Sequence, residues 1–322
     1  MDVAGQPARG SSMGSDRSPG PIGGIDLGGT KIEARLFAGP KGETVRVRRV
    51  PTPGTFDAMV AAVAGQIGWL RSESGQGAMP VGVALPGVID PVTGACRAAN
   101  IPADGRRIES EIASAAGRPV PLLNDAMAFA LSEARGGAGE GARVVAGLIF
   151  GTGLGGGVAV DGMPPPRHAG LAMEIGHVGI PARALERHGL PLLTCGCGKS
   201  GCLEPYLSGT GIGTLSEHLL GTRLSGPDLA RGEAEADAVL SLWADLAGDG
   251  LSAVQLLLDP EVIVIGGGLS NLPGIAGRLE TSLARHALLG ARVPSVRIAR
   301  HGDSSGARGA ALHAASLAEA GC

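Results

Sequence analysis

An apolar strand, a turn of glycine and threonine, and a second apolar strand occur twice in this chain. That repetition constrains the fold more than any other feature. In the first copy, residues 22–37, Gly28, Gly29 and Thr30 interrupt two apolar runs at close range. The second copy reads as a strand over 144–150, a turn over 151–157 and a returning strand over 158–160. Apolar flanks around so short a glycine turn predict a hairpin. Neither a Walker A loop nor a Rossmann fingerprint is met, because each needs a helix directly after the turn. Two such hairpins predict an internal duplication, each copy offering a phosphate-gripping turn across a shared cleft.

With 322 residues, 44% of them hydrophobic, the chain is long enough for two lobes with separate cores. Phe56, Met59, Val60, Val63, Ile67 and Leu70 recur at helical spacing and predict a helix over 56–71. Residues 81–85 form a short buried strand stopped by Pro86 and Gly87. Residues 121–125 read as a strand edge feeding a helix over 126–133, which puts Asn124 and Asp125 at a strand's carboxyl end, where ligands of open α/β sheets gather. A glycine-rich link at 136–141 opens the second lobe. A long buried helix is expected over 236–258, a strand over 262–265 and a last helix over 306–319. Residues 1–20 are too polar to bury much surface and are expected to be a disordered tail. The expected division is 21–135 for the first lobe, completed by 306–322, and 136–305 for the second.

Composition narrows the partners. Net charge is −3, and the 27 basic residues are scattered apart from Arg46, Arg48 and Arg49, so no basic stripe favours nucleic acid. No apolar run approaches the about 18 residues of a membrane helix, and the first residues lack the apolar core of a secretory signal. A soluble, cytoplasmic protein is the expectation. Aromatics are only 2%, which removes base-stacking platforms, whereas 56 glycines point to close backbone approaches in loops.

Backbone N–H groups in such loops can reach phosphate oxygens, and three turns qualify: Gly28–Lys31, 151–157 and 266–268. Thr30, Lys31 and Thr152 would add donors and charge. The competing reading of each turn alone is a plain hairpin. Asp125 is the candidate general base for an in-line phosphoryl transfer, with Asn124 orienting the attacking hydroxyl. Helix N-capping is the alternative for this Asn-Asp pair. Asp26 is a candidate for positioning hydrated Mg2+, or else a turn aspartate.

A second cluster carries metal chemistry. His177 is followed 18 residues later by Cys195, Cys197 and Cys202, one imidazole and three thiols, enough to close a tetrahedral zinc shell. Glycines at 196, 198 and 201 would let so short a loop fold around one centre. A disulfide or buried thiols are the alternatives. Glu174 and Glu204 sit outside that ligand set, which leaves them free to accept hydrogen bonds from sugar hydroxyls. Cys96 and Cys322 are given no role.

From Gly24 to Ala311 the chain resembles the ROK sugar kinases and repressors of the actin-like ATPase superfamily. The motifs are Ile25-Asp26-Leu27-Gly28-Gly29-Thr30-Lys31, Leu85-Pro86-Gly87, Asn124-Asp125, Gly151-Thr152-Gly153-Leu154-Gly155-Gly156-Gly157, Glu174-Ile175-Gly176-His177, the cysteine loop ending at Glu204, and Ile265-Gly266-Gly267-Gly268. The resemblance implies a two-lobe α/β fold of the actin-like, ribonuclease H-like class with a zinc loop over 177–204 in the second lobe. It also implies ATP-dependent phosphorylation of a hexose hydroxyl, usually O6, with Asp125 as base. ATP, Mg2+ and Zn2+ are the implied cofactors, and a homodimer is a candidate assembly. Asn124, Asp125, Glu174, His177 and Glu204 would contact the sugar, with His177 holding zinc through its other ring nitrogen.

Within the family the chain is most similar to bacterial N-acetyl-D-glucosamine kinases, through Asn100-Ile101-Pro102-Ala103, residues 177–182 and residues 188–192. That adds Asn100 to the implied sugar contacts. Fructokinases share the tail 301–309 and Pro51-Thr52-Pro53, so fructokinase and glucokinase remain alternatives. The family's repressors carry a DNA-binding domain ahead of the kinase-like region, where this chain has about 20 residues, which counts against a sugar-sensing regulator. One departure is Met127, where the family often has Asn; altered hydrogen bonding near the base is expected from it.

Overall fold

The computed structural model describes residues 20–321, so most of the tail expected over 1–20 and the terminal Cys322 lie outside the described residues. The first sheet is built from β1 (Ile22–Leu27), β2 (Lys31–Phe37), β3 (Thr44–Pro51), β4 (Val81–Leu85) and β7 (Leu122–Asn124) in the order β3-β2-β1-β4-β7. Between them run α1 (Phe56–Ser74), the small hairpin of β5 (Val88–Ile89) and β6 (Cys96–Arg97), and α2 (Ile108–Ala116). β1 and β2 pair antiparallel with Leu27 opposite Ile32, as the hairpin reading requires, while β4 and β7 continue the sheet in parallel.

α3 (Asp125–Ala134) leads to the second sheet, ordered β11-β10-β8-β9: β8 (Val144–Phe150), β9 (Leu154–Val160), β10 (Val262–Gly266) and β11 (Ser295–Ile298). The helices that follow β9 are α4 (Ala182–His188), α5 (Glu204–Leu207), α6 (Gly209–Leu220), α7 (Gly226–Leu229) and α8 (Ala234–Leu258), with α9 (Ile275–His286) between β10 and β11 and α10 (Ser305–Ala320) last. The second core gathers Leu148, Phe150, Tyr206, Trp243 and Ile265 between the sheet and the helices.

Strand alternation explains how α10 returns to the first sheet. Ile25, Leu27, Val83 and Leu85 point to one face and pack with Met59, Val63 and Ile67 of α1. The opposite face carries small residues: a Cβ on Gly24 would overlap the Ala307 carbonyl oxygen, and one on Gly82 the Ala310 carbonyl. The alanines of α10 therefore lie directly on β1 and β4, joined by Leu123, Met127 and Leu131. α3, buried from Ala126 to Ala134, fills the space between the two sheets, with Phe129 in the second sheet's core beside Val145 and Val264.

Two local expectations are corrected. The second hairpin turns over Gly151–Gly153 only, because residues 154–157 pair with Gly147–Phe150 as strand. Sheet pairing overrides the weak strand preference of three glycines, and Gly157 is small because a Cβ would overlap the Ala126 carbonyl of α3. Gly24, Ile25 and Leu27 lie in β1, as the strand reading expects, and the first turn is Gly28–Thr30 because Lys31 already opens β2. Met127 is fully buried and packs under β9, its sulfur accepting from Val158 N at 3.4 Å, while its N–H donates to Asn124 Oδ1.

Candidate active site

A cleft of about 760 Å3 is lined by Pro86, Gly87, Val88 and Asn100 from one lobe and by Gly151–Gly156, Glu174, His177 and Glu204 from the other, with Asn124 and Asp125 between them. All six residues expected to contact a sugar thus converge on one cavity. Asn124 ends β7 and caps α3: its Oδ1 accepts from Ala126 N (3.0 Å) and Met127 N (3.2 Å), and its Nδ2 donates to Gly87 O (3.1 Å). The capping alternative is therefore what the amide oxygen does, while the amide nitrogen holds the loop of Gly87 beside Asp125.

Asp125 follows at the first turn of α3, with Oδ1 accepting from Ala126 N at 2.8 Å and no side-chain partner among the described residues. Burial pushes its carboxyl up to about 6, the charge of Glu174 adding to the rise while backbone N–H bonds oppose it. Asp26, on the face of β1 beneath α10, is pushed up to about 6 by burial and then by the charge of Asp125. The charge of Asp125 therefore reaches Asp26. Gly306 is the close neighbour of Asp26, since a Cβ there would lie 3.0 Å from its carboxyl carbon. The turn Gly28–Thr30 lies outside the cleft wall but against it, because a Cβ on Gly29 would meet Asn100 O at 2.6 Å. Lys31 is turned to Glu33 at 3.4 Å, a buried carboxylate that also takes Arg35 and Arg49.

The four candidate metal ligands assemble as the spacing predicts. The ligand atoms of His177, Cys195, Cys197 and Cys202 all lie within 4.8 Å of one another. Cys195 Sγ stands 3.6 Å from His177 Nδ1, and Cys197 Sγ 3.6 Å from Cys202 Sγ. Thiolates about 2.3 Å from zinc at tetrahedral angles are about 3.8 Å apart, so the residues fit the ion. Among the described cysteines none is in a disulfide. Gly198 and Gly201 adopt φ of 87° and 80°, which closes the loop. Glu204 stands outside the ligand set, as expected, and accepts a hydrogen bond from within the chain: Oε2 accepts from Leu154 N at 3.0 Å, while Cys195 Sγ stands 3.9 Å from Oε1. Glu204 thus links the cysteine loop to the turn of the second hairpin.

A second cavity of about 640 Å3 opens on the far side of that turn, with Gly151 and Thr152 in both walls. Its other walls are Phe150, Gly209, Thr210, Gly226, Pro227, Ala230, Gly268, Leu269, Asn271 and Leu272. Of the third expected glycine turn, Gly268 lines it, whereas Gly266 packs against the Phe129 ring and Gly267, at φ 82°, lies under the Phe150 carbonyl. Sequence reasoning missed the α6 and α7 residues of this wall. The Gly209-Thr210 pair repeats the composition of the other turns and could have signalled it.

The family model described as ROK family matches residues 22–316. The chain belongs to the ROK family. The N-acetyl-D-glucosamine kinase of Escherichia coli (strain K12) is 39% identical over 298 residues, 90% of this chain and 97% of the relative. Among solved ROK structures, the hexokinase from Thermus thermophilus superposes with a TM-score of 0.81 at 33% identity, covering 93% of this chain and 99% of that one. A ROK glucokinase from Streptomyces griseus, in complex with glucose and AMPPNP, gives 0.74 at 28% identity over 91% and 98% of the two chains.

Proposed function

We propose that this ROK protein is an ATP-dependent sugar kinase that phosphorylates the 6-hydroxyl of N-acetyl-D-glucosamine. The observation that carries the reading is the pair of cavities meeting at Gly151 and Thr152, one lined by Asn124, Asp125, Glu174 and His177, the other mostly apolar. Such a pair suits a sugar and a purine nucleotide whose phosphates meet at the shared wall. The lobes are taken as 21–135 with 306–322, and 136–305.

In this reading O6 attacks the terminal phosphorus of ATP, the bond to the bridging oxygen breaks, ADP leaves and Asp125 takes the hydroxyl proton. With a carboxyl at about 6, Asp125 is ionised near neutral pH yet basic enough to receive that proton. The Glu174 carboxylate accepts no hydrogen bond among the described residues and is available to sugar hydroxyls, as is the face of His177 turned to the cleft. Backbone N–H groups of Thr152 and Gly153 and the Thr152 hydroxyl would receive the phosphates, with the Gly151 N–H closing the turn on Gly153 O, and Asp26 would position hydrated Mg2+, which offsets their charge. His177, Cys195, Cys197 and Cys202 would hold zinc, which fixes the loop that carries Glu204. Closing the lobes excludes water that would otherwise hydrolyse ATP. In this reading the enzyme is cytoplasmic, acts on a small-molecule sugar without nucleic-acid or membrane partners, and has a homodimer as its candidate assembly.

The identity and coverage of the Escherichia coli relative favour N-acetylglucosamine. So does the apolar side of the cleft, where Pro86, Val88, Leu171 and Ala172 offer a place for an acetamido methyl. Glucose is the second reading, favoured by the glucose complex of the Streptomyces griseus relative. The test is NMR of the product made from MgATP and N-acetylglucosamine. Phosphorus coupled to the two H6 protons is expected; phosphate on another carbon, or no product, would overturn the assignment.

A further inference from the structure

Behind the cleft lies a smaller cavity of about 280 Å3 that shares Gly87 and Asn124 with it. Its walls come from both lobes: Ile89 and Leu122 on one side, Pro164, Arg167 and Gly170 of the segment after β9 on the other, and His313 of α10 at the back. Two polar groups here are incompletely matched. Arg167 has no carboxylate within ion-pair distance among the described residues; its only bonds are from one guanidinium nitrogen to the carbonyls of Gly170 (3.1 Å) and Leu171 (3.2 Å). His313 Nδ1 is buried and has no hydrogen-bond partner among the described residues. A half-buried guanidinium and an orphaned imidazole nitrogen beside one cavity are costly unless something pairs with them.

We propose that this cavity binds a small oxyanion, a carboxylate or phosphate group received by the Arg167 guanidinium and the His313 imidazole across the seam between the lobes. Charge supports the assignment. Burial holds Arg167 below its usual range, with Glu174 opposing, and holds His313 below its own through burial and then the Arg167 charge. An anion between them would relieve both effects. Glu109 borders the same cavity, but it is exposed, so its repulsion is screened by water and salt. Position gives the site a consequence. Gly170 packs so closely on the Ile89 carbonyl that no Cβ fits, and the next two residues, Leu171 and Ala172, line the cleft. An anion held by Arg167 would pin this segment to the first lobe at the rim of the sugar cavity.

The test is calorimetric titration of the full chain with sodium phosphate and with sodium pyruvate, each against sodium chloride at equal ionic strength. Binding of at least one anion is expected. Arg167→Met should weaken it by about tenfold or more, the loss expected for a charge-assisted hydrogen bond, while Arg167→Lys loses less. His313→Phe, which fills the same space without an N–H, should weaken it also and keeps the test open if Arg167→Met fails to fold. No heat with either anion, or binding unchanged in Arg167→Met and His313→Phe, would overturn the site.

Discussion

The two glycine and threonine hairpins share a plan and differ in what their turns touch. In β1–β2 the turn Gly28–Thr30 is held inside the first lobe, with Thr52 Oγ1 donating to Gly28 O at 2.6 Å and Asn100 packed against Gly29. In β8–β9 the turn is held by other segments: Gly209 N donates to Gly151 O at 2.7 Å, and Leu154 N donates to the Glu204 carboxylate. The second turn therefore forms a wall of both cavities and is tied to the cysteine loop, while the first lies behind Asn100 and follows the strand that carries the half-buried Asp26. One strand–turn–strand pattern can support a carboxylate in one lobe and a cavity wall in the other; long-range contacts, not the hairpin, decide which.

The largest predicted effect probes the carboxylate side. Asp125→Asn should lower kcat by about 10²–10⁴, the usual contribution of a general base, while calorimetry still detects sugar binding. Turnover near the wild-type level would remove Asp125 from its role. Next comes the cysteine loop, which anchors the second turn alone. Metal analysis should find about one zinc per chain, and chelation should lower the melting temperature and weaken sugar binding together. Full sugar affinity in metal-free protein would break the link from the loop through Glu204 to the turn.

Packing sharpens the comparison at a smaller scale. Gly24→Ala would push the Ala307 backbone away from β1 and should cost about 1–3 kcal/mol in denaturant unfolding. Gly155→Ala in β9, whose nearest neighbour would be the Ala126 side chain at 3.5 Å, should stay within about 0.5 kcal/mol. Equal losses would show that the glycines of the first hairpin are not placed there for α10.

The smallest effect is on pH. The folded-state value of Asp125, about 6, lies above its ordinary 3.8, so ionising it is harder in the folded protein. Stability should therefore fall as pH rises from about 4 to about 6 and level off above that. Asp125→Asn should be the more stable protein above about pH 6, with the gain gone near pH 4, measured by thermal unfolding across that range. A variant no more stable at neutral pH would contradict the burial of this carboxylate. In the wild type kcat/KM should fall below about pH 6 as the base is protonated.

Much of this was legible in sequence because it depends on local pattern. Apolar periodicity marks the hairpins, α1 and α8, and the spacing from His177 to Cys202 marks the metal loop. Asn124 and Asp125 are visible as a strand end before a helix. What the sequence does not display is why a glycine is a glycine. Gly24, Gly82, Gly157 and Gly266 look like members of phosphate turns or strand interruptions, yet each is small because α10 or α3 lies against it. The wall of the second cavity draws on Gly151, Thr210, Pro227 and Leu269, residues brought together only when α6 and α7 pack beside β8 and β10. The bond from Leu154 to Glu204 spans 50 residues and has no local sign.

The most direct test of the account is ADP release by zinc-replete protein with MgATP, comparing kcat/KM for N-acetylglucosamine, N-acetylmannosamine, glucose, mannose and fructose. The account predicts a clear preference for N-acetylglucosamine. A preference for glucose or fructose would contradict the acetamido assignment of the apolar wall, and no release with any of the five would contradict the sugar kinase reading itself.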